Sequence, residues 1–257
     1  MIHAGIDLHA NNMVIVAIND NAEVVQEAKL PTSHRSLEDF FGTFDRPVQA
    51  VVECTSFWYW LSDWCRDNNI SLTLAHSKMV KAISYAKVKT DKVDAKTLAE
   101  LLRADLIPEA HQTRPVRREL RELTRGRLRL IQWRSKLQST LWGLAAKYNV
   151  NIHDYGWRQL AELQQWLQPQ LPPAANLQAQ LMLEQLSQLQ LHIHRLEGKI
   201  EQQAAFDEPA ERLMGVPGMG KVGAWTILAE IGDIHRFPSA KQFVSYCRLV
   251  PRALIGK

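Results

Sequence analysis

Lys87-Val-Lys-Thr-Asp-Lys-Val-Asp-Ala-Lys-Thr-Leu-Ala-Glu-Leu-Leu102 sets two aspartates, four lysines and an apolar period in one short run. Val93, Leu98, Leu101 and Leu102 recur at helical spacing, and Asp91 and Asp94 stand three apart at the start of that helix. Such a spacing puts both carboxylates on one face of the first turn. Oxygen ligands on one face suit a hard divalent cation. Lys87, Lys89, Lys92 and Lys96 around them suit a phosphate-rich substrate. Acids in a first turn also stabilise the helix dipole, and mixed Asp/Lys faces are commonly just solvated. The position of the other carboxylates decides between these readings.

Upstream, residues 2–7 read as a strand with Ile2, Ala4 and Ile6 on one face, ending at Asp7. A turn at Asn11-Asn12, a strand over 13–18, a turn at Asn19-Asp-Asn and a strand over 23–30 complete an antiparallel meander. Ser33 or Ser36 caps a helix running to about Phe44. Val48–Glu53 is nearly all apolar, as expected of a strand buried on both faces. Helix is expected over 57–68 and 77–86, with a strand over 71–75 between them. Strands first and strand–helix alternation afterwards predict a mixed α/β sheet.

The chain has 257 residues, 46% of them hydrophobic, enough for a core and for more than one domain. No run of about 18 apolar residues exists, so no membrane partner is expected. The N-terminus lacks the basic-then-apolar pattern of a signal peptide. Cys54, Cys65 and Cys247 show no metal spacing and read as reduced thiols of a cytoplasmic protein. Net charge is +4, unevenly spread: nine Lys/Arg against two Glu between Arg114 and Lys136 make that segment +7 and leave −3 for the rest. A concentrated basic segment points to a nucleic-acid partner.

Asp7 follows one apolar strand and Glu53 ends another. Carboxylates at the ends of buried strands are costly unless paired or bound to metal. With Asp91 and Asp94 they make four acids that one sheet can bring together. Such a group stays ionised only around cations, and two ions roughly 3.5–4 Å apart are suited to phosphoryl transfer.

From Arg114 the chain becomes long helix. Leu123, Leu130, Leu137 and Leu144 recur every seven residues, a helix–helix seam. Arg118, Arg121, Arg125 and Arg129 line a second stripe, a candidate phosphate-backbone contact. Trp133 and Trp142 are expected to pack. Tyr148–Pro173 reads as a connection, and Met182, Leu186, Leu189, Ile193, Leu196 and Ile200 form a second seam, for an antiparallel hairpin or a pairing across a dimer. His192 and His194 read as surface residues. Gly215-Val-Pro-Gly218-Met-Gly220-Lys221 between helical stretches resembles a helix-hairpin-helix. Gly218 and Gly220 let backbone N–H groups approach a phosphate, and Lys221 adds charge. An ordinary glycine-rich helix turn is the plainer alternative.

Ala-Gly-Ile-Asp7 with its hairpin, Val-Val-Glu53-Cys-Thr, and Lys-Thr-Asp91-Lys-Val-Asp94-Ala resemble the DEDD insertion-sequence transposases, a group that includes the pilin-gene invertases. The resemblance implies an α/β RNase H-like (RuvC-like) domain over 1–110. It implies a helical coiled-coil linker and dimerisation region over 111–205 and part of a C-terminal helix-hairpin-helix domain over 206–257. Asp7, Glu53, Asp91 and Asp94 become the metal-binding tetrad of a two-metal Mg2+ site, with Mn2+ able to replace it. DNA becomes the substrate, a guide RNA a partner that members of the family can use, and a homodimer or tetramer the working assembly, in a bacterial, nucleoid-associated setting. The family's nucleophilic serine follows a Leu-x-Pro-Arg tail like that ending at Arg252, so the resemblance places it beyond residue 257 and the chain is expected to be a shortened copy. Ser239 and Ser245 precede that position.

Two other activities share these features. A junction-resolving nuclease would use the acids to activate water, without the serine. A sugar-kinase-like ATPase also begins with a Gly-Ile-Asp strand, but needs phosphate-cradling glycines where this chain has Leu8-His9-Ala10. A non-catalytic DNA-binding remnant is the third alternative.

Overall fold

β1 (Ile2–Leu8) is the middle strand of a five-stranded sheet in the computed structural model, which describes residues 1–83, 90–153, 157, 159–203 and 208–249. Lys87 and Lys89, two of the expected nucleic-acid contacts, lie outside the described residues. The chain divides into two compact units, Met1–Gln112 and Thr113–Lys257.

In the first unit the sheet order is β3-β2-β1-β4-β5. β1 pairs antiparallel with β2 (Asn12–Ile18), and β2 antiparallel with β3 (Val24–Pro31). The second turn is closed by Asn19, whose Oδ1 accepts from the backbone N–H groups of Asn21 and Glu23, both at 3.0 Å. On the other side of β1, β4 (Val48–Glu53) and β5 (Ser71–Ala75) run parallel to it. Parallel pairing requires crossovers, supplied by α1 (His34–Phe41) and α2 (Trp58–Asp67). Ser33 caps α1, its Oγ accepting from Ser36 N at 3.1 Å.

Strand alternation sorts the residues into two layers. Ile2, Ala4, Ile6 and Leu8 of β1 join Ala50 and Val52 of β4 against Leu37, Phe40, Trp58, Leu61 and Trp64 of α1 and α2. The opposite face carries Val14, Val16 and Ile18 of β2 against Ala95 and Ala99, and Val51 of β4 against Leu98 and Val80. Those partners lie on α4 (Asp91–Arg103) and α3 (Ser77–Ile83). The result is a mixed sheet between two helical layers, the α/β arrangement expected from the strand and helix order.

Gly5 makes the close approach of α4 feasible. A Cβ built there would lie 1.9 Å from Ala95 O and 2.6 Å from Ala99 N, both backbone atoms. Only a residue without a side chain lets the helix backbone rest on β1 at this point.

In the second unit α5 (Pro115–Ala146) and α7 (Pro173–Gln203) pack antiparallel: Glu119 meets Gln203 and Arg127 meets Glu197. One core lies where Leu141 and Leu144 of α5 meet Leu183 and Leu186 of α7 and Leu163 and Leu167 of α6 (Leu160–Leu167). The other lies where Leu120 and Ile200 meet Ala210 of α8 (Glu208–Met214) and Ala224, Trp225 and Ala229 of α9 (Lys221–Ile231). A 3-10 turn (Ile234–Arg236) and α10 (Ala240–Tyr246) follow. The segment expected to be a plain connection therefore contains α6, and Pro173 opens α7 instead of preceding it. Proline suits the first helical position because its missing N–H has no partner there. Among the described residues no helix is long and apolar enough to cross a membrane.

Candidate metal centre and nucleic-acid surface

The same alternation decides where the acids point. Even-numbered residues of β1 face α1 and α2, so Asp7 shares the α4 face with Gly5. On β4, Ala50 and Val52 face α1 and α2 while Val51 faces α4, which puts Glu53 on the α4 side as well. β1 and β4 are neighbours with Ile6 opposite Val52, so Asp7 and Glu53 each follow one step on, at the same end of adjacent strands.

α4 delivers the other two. Thr90 caps it, its side chain accepting from Val93 N at 3.2 Å, and Asp91 and Asp94 occupy the first turn. One oxygen each from Asp7 and Asp91 and one ring nitrogen of His9 lie within 4.8 Å of one another. Asp94 is near enough to act on Asp7 electrostatically. Among the described residues, Glu53 and Asp94 stand outside that tight trio while sharing its face.

Burial pushes the Asp7 carboxyl above its ordinary range. His9 opposes this by charge and by a hydrogen bond, and the neighbouring Asp91 and Asp94 carboxylates add to the rise. The donor set fits a divalent cation: carboxylates converging on one rim, one of them desolvated and repelled by its neighbours, are in the state a cation relieves.

His9 escaped the sequence reading, which assigned Leu8-His9-Ala10 no role in metal binding. Its Nε2 lies 3.2 Å from Asp7 Oδ2. The signal was available: two positions beyond Asp7, it falls on the same side of an extended chain.

Cations surround the rim. Lys29 Nζ lies 3.8 Å from Asp91 Oδ2, and Lys92 Nζ lies 2.5 Å from Glu27 Oε1. Lys92, expected to contact nucleic acid, is thus exposed but paired. Exposed pairs of this kind contribute at most about 1 kcal/mol and exchange readily for another anion.

The arginine stripe of α5 requires a correction. Arg118 and Arg121 are buried. Arg118 Nε donates to Thr113 O at 2.8 Å. Arg121 Nε and Nη2 donate to the carbonyls of Ala229 and Glu230 at 3.1 and 3.2 Å, and its Nη1 to Thr113 Oγ1 at 2.7 Å. Those carbonyls end α9, where a helix dipole favours positive charge. Arg236 Nε completes the set on Ile231 O at 2.9 Å, and Tyr246 Oη donates to Glu230 O at 3.0 Å. Arg118 and Arg121 are thus buried with donors engaged inside the protein, where the stripe was expected to lie open to phosphate. Arg125 is exposed and grips Glu230, and Arg129 is exposed.

Gly218, Gly220 and Lys221 sit on an exposed turn between α8 and α9. Gly218 adopts φ 85°, the left-handed region where glycine is favoured, and Gly220 precedes α9 with no side-chain cap. Trp133 and Trp142 are exposed, although the Trp142 ring lies 5.4 Å from that of His153. Trp133 lines an open groove of about 900 Å3 with Leu137, Leu181 and Leu189. Ser239 spends its side chain capping α10, accepting from Gln242 N.

Known proteins similar to this chain are transposases. Residues 4–149 match the family model described as the DEDD transposase of IS110, and residues 210–253 match that of the IS116/IS110/IS902 transposase family. A Pseudomonas aeruginosa protein named "Probable family 20 transposase" is 26% identical over 256 residues, covering 96% of this chain and 73% of its own length. The Sinorhizobium fredii transposase y4pF/y4sB is 23% identical, covering 98% of this chain and 64% of its own. The transposase of insertion sequence element IS1111A from Coxiella burnetii is 25% identical over 167 residues, covering 64% of this chain and 46% of its own.

Proposed function

Because the chain belongs to the IS116/IS110/IS902 family of DEDD transposases, we propose that it supplies the metal-dependent phosphoryl-transfer centre with which DNA is cut and rejoined at the ends of an insertion sequence. Asp7, Glu53, Asp91 and Asp94 are the residues that would hold Mg2+ or Mn2+. The observation that carries this is the meeting of Asp7, His9 and Asp91 within 4.8 Å on the face that Asp94 and Glu53 share.

When bound, the cations would neutralise charge developing on the scissile phosphate. The protein's own part is to hold the ligands still. Asp7 and Glu53 are fixed by adjacent strands, and Asp91 and Asp94 by a capped helix seated on Gly5. Lys92, Arg125 and Arg129 would take the DNA backbone by exchanging their present surroundings for phosphates. The Gly218–Lys221 turn would act as a helix-hairpin-helix, presenting backbone N–H groups and the Lys221 charge to a phosphate.

DNA carrying an insertion end, incubated with the protein and Mg2+ or Mn2+, tests the reading. Strand cleavage that disappears with EDTA, and in both Asp7→Asn and Asp91→Asn, supports it. Cleavage with water and no protein–DNA adduct moves the assignment to the nuclease alternative. No metal-dependent change in DNA refutes a catalytic role.

We place the contact between copies on the exposed apolar face of α5 and α7. Trp133, Leu177 and Leu181 are each at least half exposed there, more than a monomer needs. Light scattering would report a dimer that Trp133→Glu reduces to a monomer. A wild-type monomer refutes this placement.

A further inference from the structure

We propose that His9 is a direct nitrogen ligand of the metal centre and tilts it toward Mn2+ and Co2+ over Mg2+. The inference rests on the metal-centre reading above and adds a donor outside the four carboxylates.

Three observations lead to it. First, the spacing lies within a small side-chain shift of one ion's coordination sphere. Metal–ligand distances of about 2.1–2.2 Å put neighbouring ligands of an octahedron about 3 Å apart and opposite ones about 4.3 Å apart. His9 Nε2 and Asp7 Oδ2 are 3.2 Å apart, and the set with Asp91 closes within 4.8 Å. Second, the backbone of His9 is fixed although its ring is not packed. His9 N donates to Asn12 O at 2.9 Å and Thr32 Oγ1 donates to His9 O at 3.0 Å, which ties the residue to the hairpin and to the end of β3. The ring itself is half exposed, so the core does not explain it. Third, among the described residues the anionic side of the ring is made by Asp7 and Asp91, with Asp94 close enough to act on Asp7, while Lys29 approaches Asp91 and Lys92 holds Glu27.

The consequence follows from ligand chemistry. Mg2+ takes oxygen donors and parts reluctantly with water, whereas imidazole binds first-row transition ions well. An imidazole beside the carboxylates therefore discriminates among divalent cations where an all-carboxylate site does so less. A histidine that merely hydrogen-bonded Asp7 from outside would orient the carboxylate but leave the metal's first coordination sphere all oxygen.

Pulsed electron paramagnetic resonance on the full chain carrying substoichiometric Mn2+ separates the two. Direct ligation gives modulation from a coordinated imidazole nitrogen, absent in His9→Ala and in His9→Gln. The glutamine variant keeps a hydrogen-bond donor toward Asp7, and thermal melting confirms that both variants are folded. Calorimetric titration should show Mn2+ affinity falling more than Mg2+ affinity in either variant. Mn2+ bound in a manner that Asp91→Asn abolishes, but without nitrogen modulation, overturns the His9 proposal and leaves the metal centre standing. No Mn2+ binding by the wild-type chain overturns both.

Discussion

Arg121 and Glu230 stand 109 positions apart in sequence, yet Arg121 Nη2 donates to the Glu230 carbonyl at 3.2 Å and its Nε lies 3.5 Å from Glu230 Oε2. Arg125 closes on the same glutamate with a two-pronged contact, Nε to Oε1 at 2.6 Å and Nη2 to Oε2 at 2.8 Å. The C-terminal end of α9 is thereby fastened to α5. Burial separates the two arginines. Removing Arg121 takes its buried bonds from the Ala229 carbonyl and Thr113, so Arg121→Met should destabilise the chain by about 3 kcal/mol. Arg125 is partly exposed, so Arg125→Ala should cost less than about 1 kcal/mol. Urea unfolding of the two variants checks the order. Equal costs would mean that the buried knot is not what secures α9.

Gly5 links the fold to the proposed chemistry. An added methyl meets the backbone of α4 at Ala95 and Ala99, which has no rotamer by which to escape. Gly5→Ala should therefore lift the helix, costing about 1–3 kcal/mol or more, and displace Asp91 and Asp94 from Asp7. The expected signature is a lowered melting temperature together with weakened Mn2+ binding. The α1/α2 face of the sheet, on the other side of β1, should keep its packing, measurable as unchanged accessibility of the buried Cys65 thiol.

The first unit was largely legible because its signals are local. Turn residues and strict alternation marked the strands, Val48–Glu53 read directly as a buried strand, and the Thr90-Asp91 start of α4 carries its own cap. The second unit was less so. Periodicity showed that Arg118, Arg121, Arg125 and Arg129 share a stripe, but a stripe of charge has no sign of which side is covered. The carbonyls that claim Arg121 come from a helix more than a hundred residues away. α6 was hidden by the prolines after it, since Pro173 reads as a breaker until a helix is seen to begin on it. His9 lay one residue past the end of β1, on the side of Asp7 by strand alternation, but no motif drew weight to it.

The exposed cations make a separable prediction about DNA. Arg129 and Lys221 are solvent-exposed, on α5 and at the start of α9. If each meets a phosphate, alanine at either position weakens DNA binding by a similar factor whatever the sequence. The slope of log affinity against log salt should fall by about one for each phosphate that is no longer neutralised. Folding stability should change little, in contrast to Arg121→Met. Unaltered salt slopes in both variants would move the DNA surface elsewhere.

Asp7 carries the most direct test of a site built at the expense of stability. Burial raises its folded pKa above the ordinary 3.8, so the native chain holds that proton more tightly than the unfolded chain does. The sign follows. Through this group stability is greatest in acid, falls as pH rises from 3.8 to the raised folded pKa, and stays reduced above it, where the carboxylate is ionised beside Asp91 and Asp94. At neutral pH with EDTA, Asp7→Asn should therefore melt at a higher temperature than the wild type. Added Mn2+ should reverse the order, since a cation bound only by the native state stabilises by mass action and the asparagine variant has lost a charged ligand. Melting curves of both proteins with EDTA and with Mn2+ give the answer. A wild type more stable than Asp7→Asn without metal would show that the Asp7 charge is already satisfied by the protein itself.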